Sequence, residues 1–115
     1  MVLADVEPDR APLANLRPIG LAAAREFRAN PIGHHGPELR SILSRFRAGD
    51  VAGKYCLICV KPHARWVIGR LSGRRGVAPA VEDNRVFTRI EDAEWAVFKL
   101  RWLEAFGVAI DEEAL

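Results

Sequence analysis

Residues 88–107 read Thr88-Arg89-Ile90-Glu91-Asp92-Ala93-Glu94-Trp95-Ala96-Val97-Phe98-Lys99-Leu100-Arg101-Trp102-Leu103-Glu104-Ala105-Phe106-Gly107. Thr88 followed by Glu91 matches a capping box, and Gly107 marks the far end, so the stretch predicts one long helix. At about 100° per residue, Ile90, Ala93, Ala96, Val97, Leu100 and Leu103 share one side of it. Trp95, Phe98, Trp102 and Phe106 form a second stripe, roughly opposite much of the first. Glu94 and Arg101 lie on one edge between the stripes, Asp92 and Lys99 on the other. A surface helix of a small domain usually needs one apolar face. The second stripe is covered either by the first helix or the N-terminal arm of the same chain, or by a second chain. On the second reading Trp95, Phe98, Trp102 and Phe106 are interface anchors, because aromatics and Arg are enriched where interfaces bind most strongly.

Working back along the chain, Tyr55–Val60 and Trp66–Leu71 are apolar runs of strand length. Lys61-Pro62-His63-Ala64-Arg65 between them is short enough for a hairpin loop. Residues 72–86 are rich in turn formers, and Val86-Phe87 could add a short strand. Pro37 opens another helix, in which Leu39, Ile42, Leu43 and Phe46 fall at i, i+3, i+4 and i+7. Gly49 is placed to cap it. Residues 18–29 predict the first helix, with Pro18 at its first position and Asn30-Pro31 as its stop. The expected organisation is an arm at 1–17, one α+β domain at 18–107 and a frayed acidic tail at 108–115. In that fold the helices flank a small antiparallel hairpin or sheet, and the last helix packs across it.

The chain has 115 residues, half of them hydrophobic and 28% charged, with a mean hydropathy near zero. That is globular composition and one domain's length. No run is long and apolar enough to span a bilayer, and the N-terminus lacks a signal-peptide layout, so a cytoplasmic location is expected. The net charge of +2 hides a gradient: −1 over residues 1–24, +8 over 25–75 and −5 over 76–115. Fourteen of the seventeen basic groups are Arg, which suits bidentate pairing at interfaces. Arg40, Arg45, Arg47, Arg70, Arg74 and Arg75 could instead line nucleic acid, which makes a free-standing nucleic-acid-binding or regulatory module the alternative function.

No motif brings chemistry of its own. The sequence has neither a nucleophile elbow nor a phosphate-binding Walker loop. Cys56 and Cys59 have C-x-x-C spacing, but on a strand they point to opposite faces, and no second pair completes a zinc site. They read as core thiols. His34, His35 and His63 make a metal site only if the fold gathers them.

The order of the remaining pieces is informative. Asn30-Pro31-x-Gly33 is followed by a histidine at 34–35, then by Gly36-Pro37-x-Leu39. An Arg-bearing helix leads to Gly53-Lys54-Tyr55 opening one strand and Trp66 opening the next. Arg85-x-Phe87 precedes Glu91-x-Ala93 and Ala96-Val97-Phe98-x-x-Arg101. Over about residues 28–103 this resembles the small (alpha) subunit of N,N-dimethylformamidase. The family tends to have Ser where Gly36 stands, a longer loop between Gly33 and Pro37, and aromatic or polar residues where Cys56 and Cys59 stand.

The resemblance implies a small subunit without catalytic residues or cofactor of its own. It implies a hetero-oligomer with a large subunit that holds a mononuclear iron and hydrolyses the amide of dimethylformamide to dimethylamine and formate. Beside the aromatic stripe, Arg101, Arg40, Arg47, His35 and Tyr55 are then the expected contacts with that partner.

Overall fold

The computed structural model describes residues 11–82 and 84–115. Helix α1 is Ala11–Ala29, α2 is Pro37–Arg47 and α3 is Ile90–Phe106. Strands β1 (Tyr55–Lys61), β2 (Arg65–Arg70) and β3 (Ala80–Val81) form one antiparallel sheet in that order. The architecture is α+β, as the periodicities predict.

Helix α3 is the middle of three layers. One side packs on the sheet, where Ala96 and Val97 meet Tyr55 and Ile68, with Leu57, Phe87 and Leu100 at the margin. The other side packs on α1 and α2. There Phe98, Trp102 and Phe106 join Ala23, Ala24, Phe27, Leu39 and Ile42 in a single cluster. The two stripes thus have two covers, both from this chain. Phe98 is 1% exposed, stacked on Phe27 at 4.3 Å and edge-on to Phe46 at 5.5 Å. Trp102 and Phe106 are each 6% exposed and meet edge-to-face at 4.7 Å. Small residues on α1 leave room for these rings. A Cβ on Gly20 would stand 2.8 Å from Cη2 of Trp102, so only glycine allows this approach.

The helix ends differ from expectation in instructive ways. α1 starts at Ala11, so residues 11–17 are helix and not arm, and Pro18 lies inside the helix. Pro12 takes the early position, where a missing N–H costs nothing. The rest of the expected arm, residues 1–10, lies outside the described residues. α2 starts at Pro37 as predicted but is closed by Ala48, with Gly49 in the left-handed region just beyond. The capping box of α3 does not form. Arg89 is the N-cap and makes no side-chain cap bond. Its guanidinium instead lies 3.8 Å from Glu91 and 3.6 Å from Asp92. Gly107 does close α3, at φ 77°, donating its N–H to Leu103.

The acidic tail is docked, not frayed. Residues Glu112–Ala114 form a 3₁₀ turn, and Ile110 and Leu115 pack against the aromatic cluster. Glu112 accepts from Lys99 Nζ at 3.1 Å and from Trp95 Nε1 at 3.3 Å, while Arg25 donates to the Ala114 carbonyl at 3.1 Å. Lys99's hydrogen bond holds the Glu112 carboxyl below its usual range. The unfolded chain therefore binds more protons just below that range. The clasp contributes above about pH 4.3, the unfolded value, and is lost as the pH falls through the lower folded value. The Trp95 indole N–H resonance is expected to move on acidification, and to sit displaced and insensitive to pH in Glu112→Gln. A wild-type resonance that stays put through the acid range would contradict the clasp.

Candidate functional site

The segment Gly53-Lys54-Tyr55 enters β1 beneath the C-terminal end of α2. That helix end leaves carbonyls without partners in the helix. Lys54 Nζ takes two of them, donating to Phe46 at 3.1 Å and to Ala48. A cation at a helix C-terminus also answers the helix dipole. Lys54→Met keeps the stem and removes the charge. It is expected to lower stability by about 1 kcal/mol, read as a lower urea midpoint; an unchanged midpoint would remove Lys54 from the account.

Tyr55 pairs with Arg70 across the hairpin. The Arg70 guanidinium lies over the Tyr55 ring, 3.9 Å from its centroid, and donates to Tyr55 Oη. It also donates to the Gly53 carbonyl at 2.8 Å and to Glu104 at 3.1 Å, and Glu82 lies 3.4 Å from its Nε. Burial pushes the Tyr55 hydroxyl up, against the pull of the Arg70 charge. One residue of β2 thus ties together the entry to β1, α3 and the residue just past β3.

Arg101 approaches the same tyrosine from α3, donating to the Tyr55 carbonyl at 2.8 Å. It is half-buried. Desolvation pulls its pKa down, and Glu94 opposes that. Burial raises Glu94 in turn, with Arg101 working against it. A cleft of about 430 Å³ opens between the end of α2, the start of β1 and α3. Among the described residues, Arg45, Lys54, Arg70 and Arg101 line it against the acids Asp50 and Glu104. It is a net cationic cleft whose strongest donors are already engaged by the chain.

The expected contact residues divide sharply. Phe98, Trp102 and Phe106 are core, which corrects their reading as anchors for a second chain. Trp95 is half-buried, stacked on Phe98 at 5.6 Å and held by Glu112. Tyr55 is buried beneath Arg70. His35 is half-buried, and its Nε2–H donates to the Asn30 carbonyl at 2.8 Å, bracing the loop between α1 and α2. Glu26 braces the same loop by accepting from the Gly36 N–H at 2.7 Å. Arg40 and Arg47 are exposed on α2, and Arg47 is close enough to Arg101 for their charges to repel. Cys56 is half-buried, with burial raising its thiol, while Cys59 is exposed and so is not a core thiol. His63 sits at the hairpin tip with a positive φ of 60°. Among the described residues, no three His, Cys, Asp or Glu side chains gather as a metal site.

Sequence reasoning missed Lys54, Glu104 and Glu26 as parts of this arrangement, and named Arg70 only among the arginines of the alternative, nucleic-acid-binding reading. A usable signal was the hairpin itself. A short loop after Lys61 brings Tyr55 opposite Arg70 within one residue of register.

Most of the segments that carried the resemblance now have physical roles here. Asn30 to Leu39 is the braced turn into α2, Gly53 to Tyr55 the clamp on α2, Trp66 and Phe87 a bridge pair, and Ala96 to Arg101 the two-sided middle of α3. No helix among the described residues is long and apolar enough to cross a membrane. No curated protein matches the chain. A family model described as the N,N-dimethylformamidase alpha subunit matches residues 16–111, which takes in most of α1 and the turn after α3 as well as everything between. With that match running through nearly the whole fold, the chain belongs to the N,N-dimethylformamidase alpha subunit family.

Proposed function

We propose that this chain is the non-catalytic small subunit of a cytoplasmic amidohydrolase resembling N,N-dimethylformamidase, and that a larger chain hydrolyses the amide. The family match over residues 16–111 carries the reading. The use made of the polar side chains supports it. Lys54, Arg70 and Arg101 are spent on carbonyls and on Tyr55, so their charges hold elements together. The described residues do not fit an iron site, and the proposal places the iron in the larger chain. There a bound metal would supply Lewis acidity and an activated water.

Turnover of dimethylformamide tests the division of labour. The co-purified pair is expected to release dimethylamine and formate, and the purified small chain alone to release neither. Hydrolysis by the small chain alone would overturn the proposal.

A further inference from the structure

β2 bonds β3 and the Phe87 bridge through its even-numbered residues. Glu82 donates to the Ile68 carbonyl at 2.8 Å, and Trp66 and Phe87 exchange bonds at 2.9 and 2.8 Å. In an antiparallel ladder, backbone groups alternate in direction. β2 therefore meets β1 through Val67 and Gly69, whose partners are Ile58 and Cys56. The N–H and C=O groups of Tyr55, Leu57 and Cys59 must point to the outer edge of β1. The Tyr55 carbonyl confirms this direction, because Arg101 takes it from that side. Among the described residues, nothing bonds the outward groups of Leu57 and Cys59.

This edge lacks the usual protection. Natural edge strands are shortened, bulged or charged to prevent pairing with other chains. β1 has seven residues, and Leu57-Ile58-Cys59-Val60 carries no charge and no proline. Its one irregularity lies at the far end, between Cys59 and Lys61. Cys59 is exposed and Val60 is 58% exposed.

The charges at the two ends say what fits. Arg101 and Arg47 stand at the Tyr55 end, beside the cationic cleft, with Glu94 facing Arg101 and offsetting one of the two charges, and exposed Lys61 stands at the other. A second copy pairing antiparallel would set Lys61 against Arg101 and Arg47. A second copy pairing parallel would set the Arg clusters against each other. Both arrangements oppose like charges. We infer that the outer edge of β1 takes an extended segment of the large subunit, apolar at alternate positions and acidic where it passes Arg101 and Arg47. The added strand bonds Leu57 and Cys59, and its acidic side chain faces the cleft. This deepens the proposed function and rests on it.

Amide hydrogen exchange on the free chain and on the complex with the co-purified large subunit tests the inference. The Leu57 and Cys59 amides are expected to exchange fast in the free chain and to slow by about tenfold or more in the complex. Cys56 and Ile58, paired with β2, are expected to be protected in both. Cys59→Pro removes an outward N–H, a position where edge strands tolerate proline. It is expected to weaken association about tenfold with little change in melting, while Cys59→Val binds as wild type. Equal exchange at Leu57 and Cys59 with and without the partner would overturn the inference while leaving the subunit reading intact. So would protection that appears in the free chain as its concentration rises, since a second copy would then be the occupant. Failure of the wild-type chain to hold any large subunit would instead overturn the subunit reading itself.

Discussion

Trp102→Asp is expected to abolish cooperative folding of the free chain, and not merely to weaken its assembly. The indole is 6% exposed, packed on Phe106 at 4.7 Å and against α1 at Gly20. An Asp carboxyl there would sit in a cluster that, among the described residues, is lined by apolar side chains such as Ala23, Ala24, Phe98 and Phe106, and it would be buried either as an unpaired charge or as an acid driven to its neutral form. Burying an unpaired charge costs several kcal/mol, roughly the whole stability of a small domain. Because Asp is a severe replacement, Phe98→Ala gives the graded measurement. It removes a ring stacked on Phe27 and edge-on to Phe46, and is expected to cost about 3–5 kcal/mol. Denaturant unfolding of the free chain reads both. A Trp102→Asp chain that melts like wild type would return the aromatic stripe to the surface and make it available to a partner.

The second large effect is expected at Arg70. Arg70→Ala removes the stack over Tyr55 and leaves the Tyr55 hydroxyl and the Gly53 carbonyl without their partner. Its bonds to Glu104 and Glu82 are half-exposed and contribute little. The stack and the two buried-side bonds together are worth about 2 kcal/mol. Arg70→Lys is expected to recover less than half, because an ammonium is not planar and has a single nitrogen, so it cannot lie flat on the ring and reach both acceptors as the two guanidinium nitrogens do. A double-mutant cycle with Tyr55→Phe isolates the hydroxyl bond. Additive effects of the two substitutions would show that the pair does not act as a unit.

These predictions mark where the sequence was legible. The helical spacing of Leu39, Ile42, Leu43 and Phe46, the hairpin around Lys61–Arg65 and the two stripes of α3 all follow from local periodicity, and the structure has each of them. The cover of the second stripe was harder, because a helical wheel says which side chains share a face and not what lies above it. The answer was nonetheless present in α1. Gly20, Ala23, Ala24 and Phe27 fall at i, i+3, i+4 and i+7, a groove of small residues beside one ring. Composition hid it, since an Ala-rich run reads first as helix propensity.

The start of α1 was misplaced because proline normally marks a helix's first turn, and here Pro18 sits within. The docking of the acidic tail depended on Trp95 and Lys99 being one helical turn apart and facing the same way, visible only once α3 has neighbours. The Arg70 clamp required strand register, and its bonds to Glu104 and Glu82 join residues distant in the chain.

The central claim is that this chain is a folded small subunit whose aromatic core is its own and whose partner lies outside it. Isolation of the tagged chain from its native cells, with light scattering, mass spectrometry and iron analysis of the eluate, tests that most directly. The expected eluate is a complex of fixed stoichiometry with a larger iron-containing chain, from which the small chain can be separated as a monomer that still melts cooperatively. A monomer or homodimer eluting without any larger chain would contradict the account.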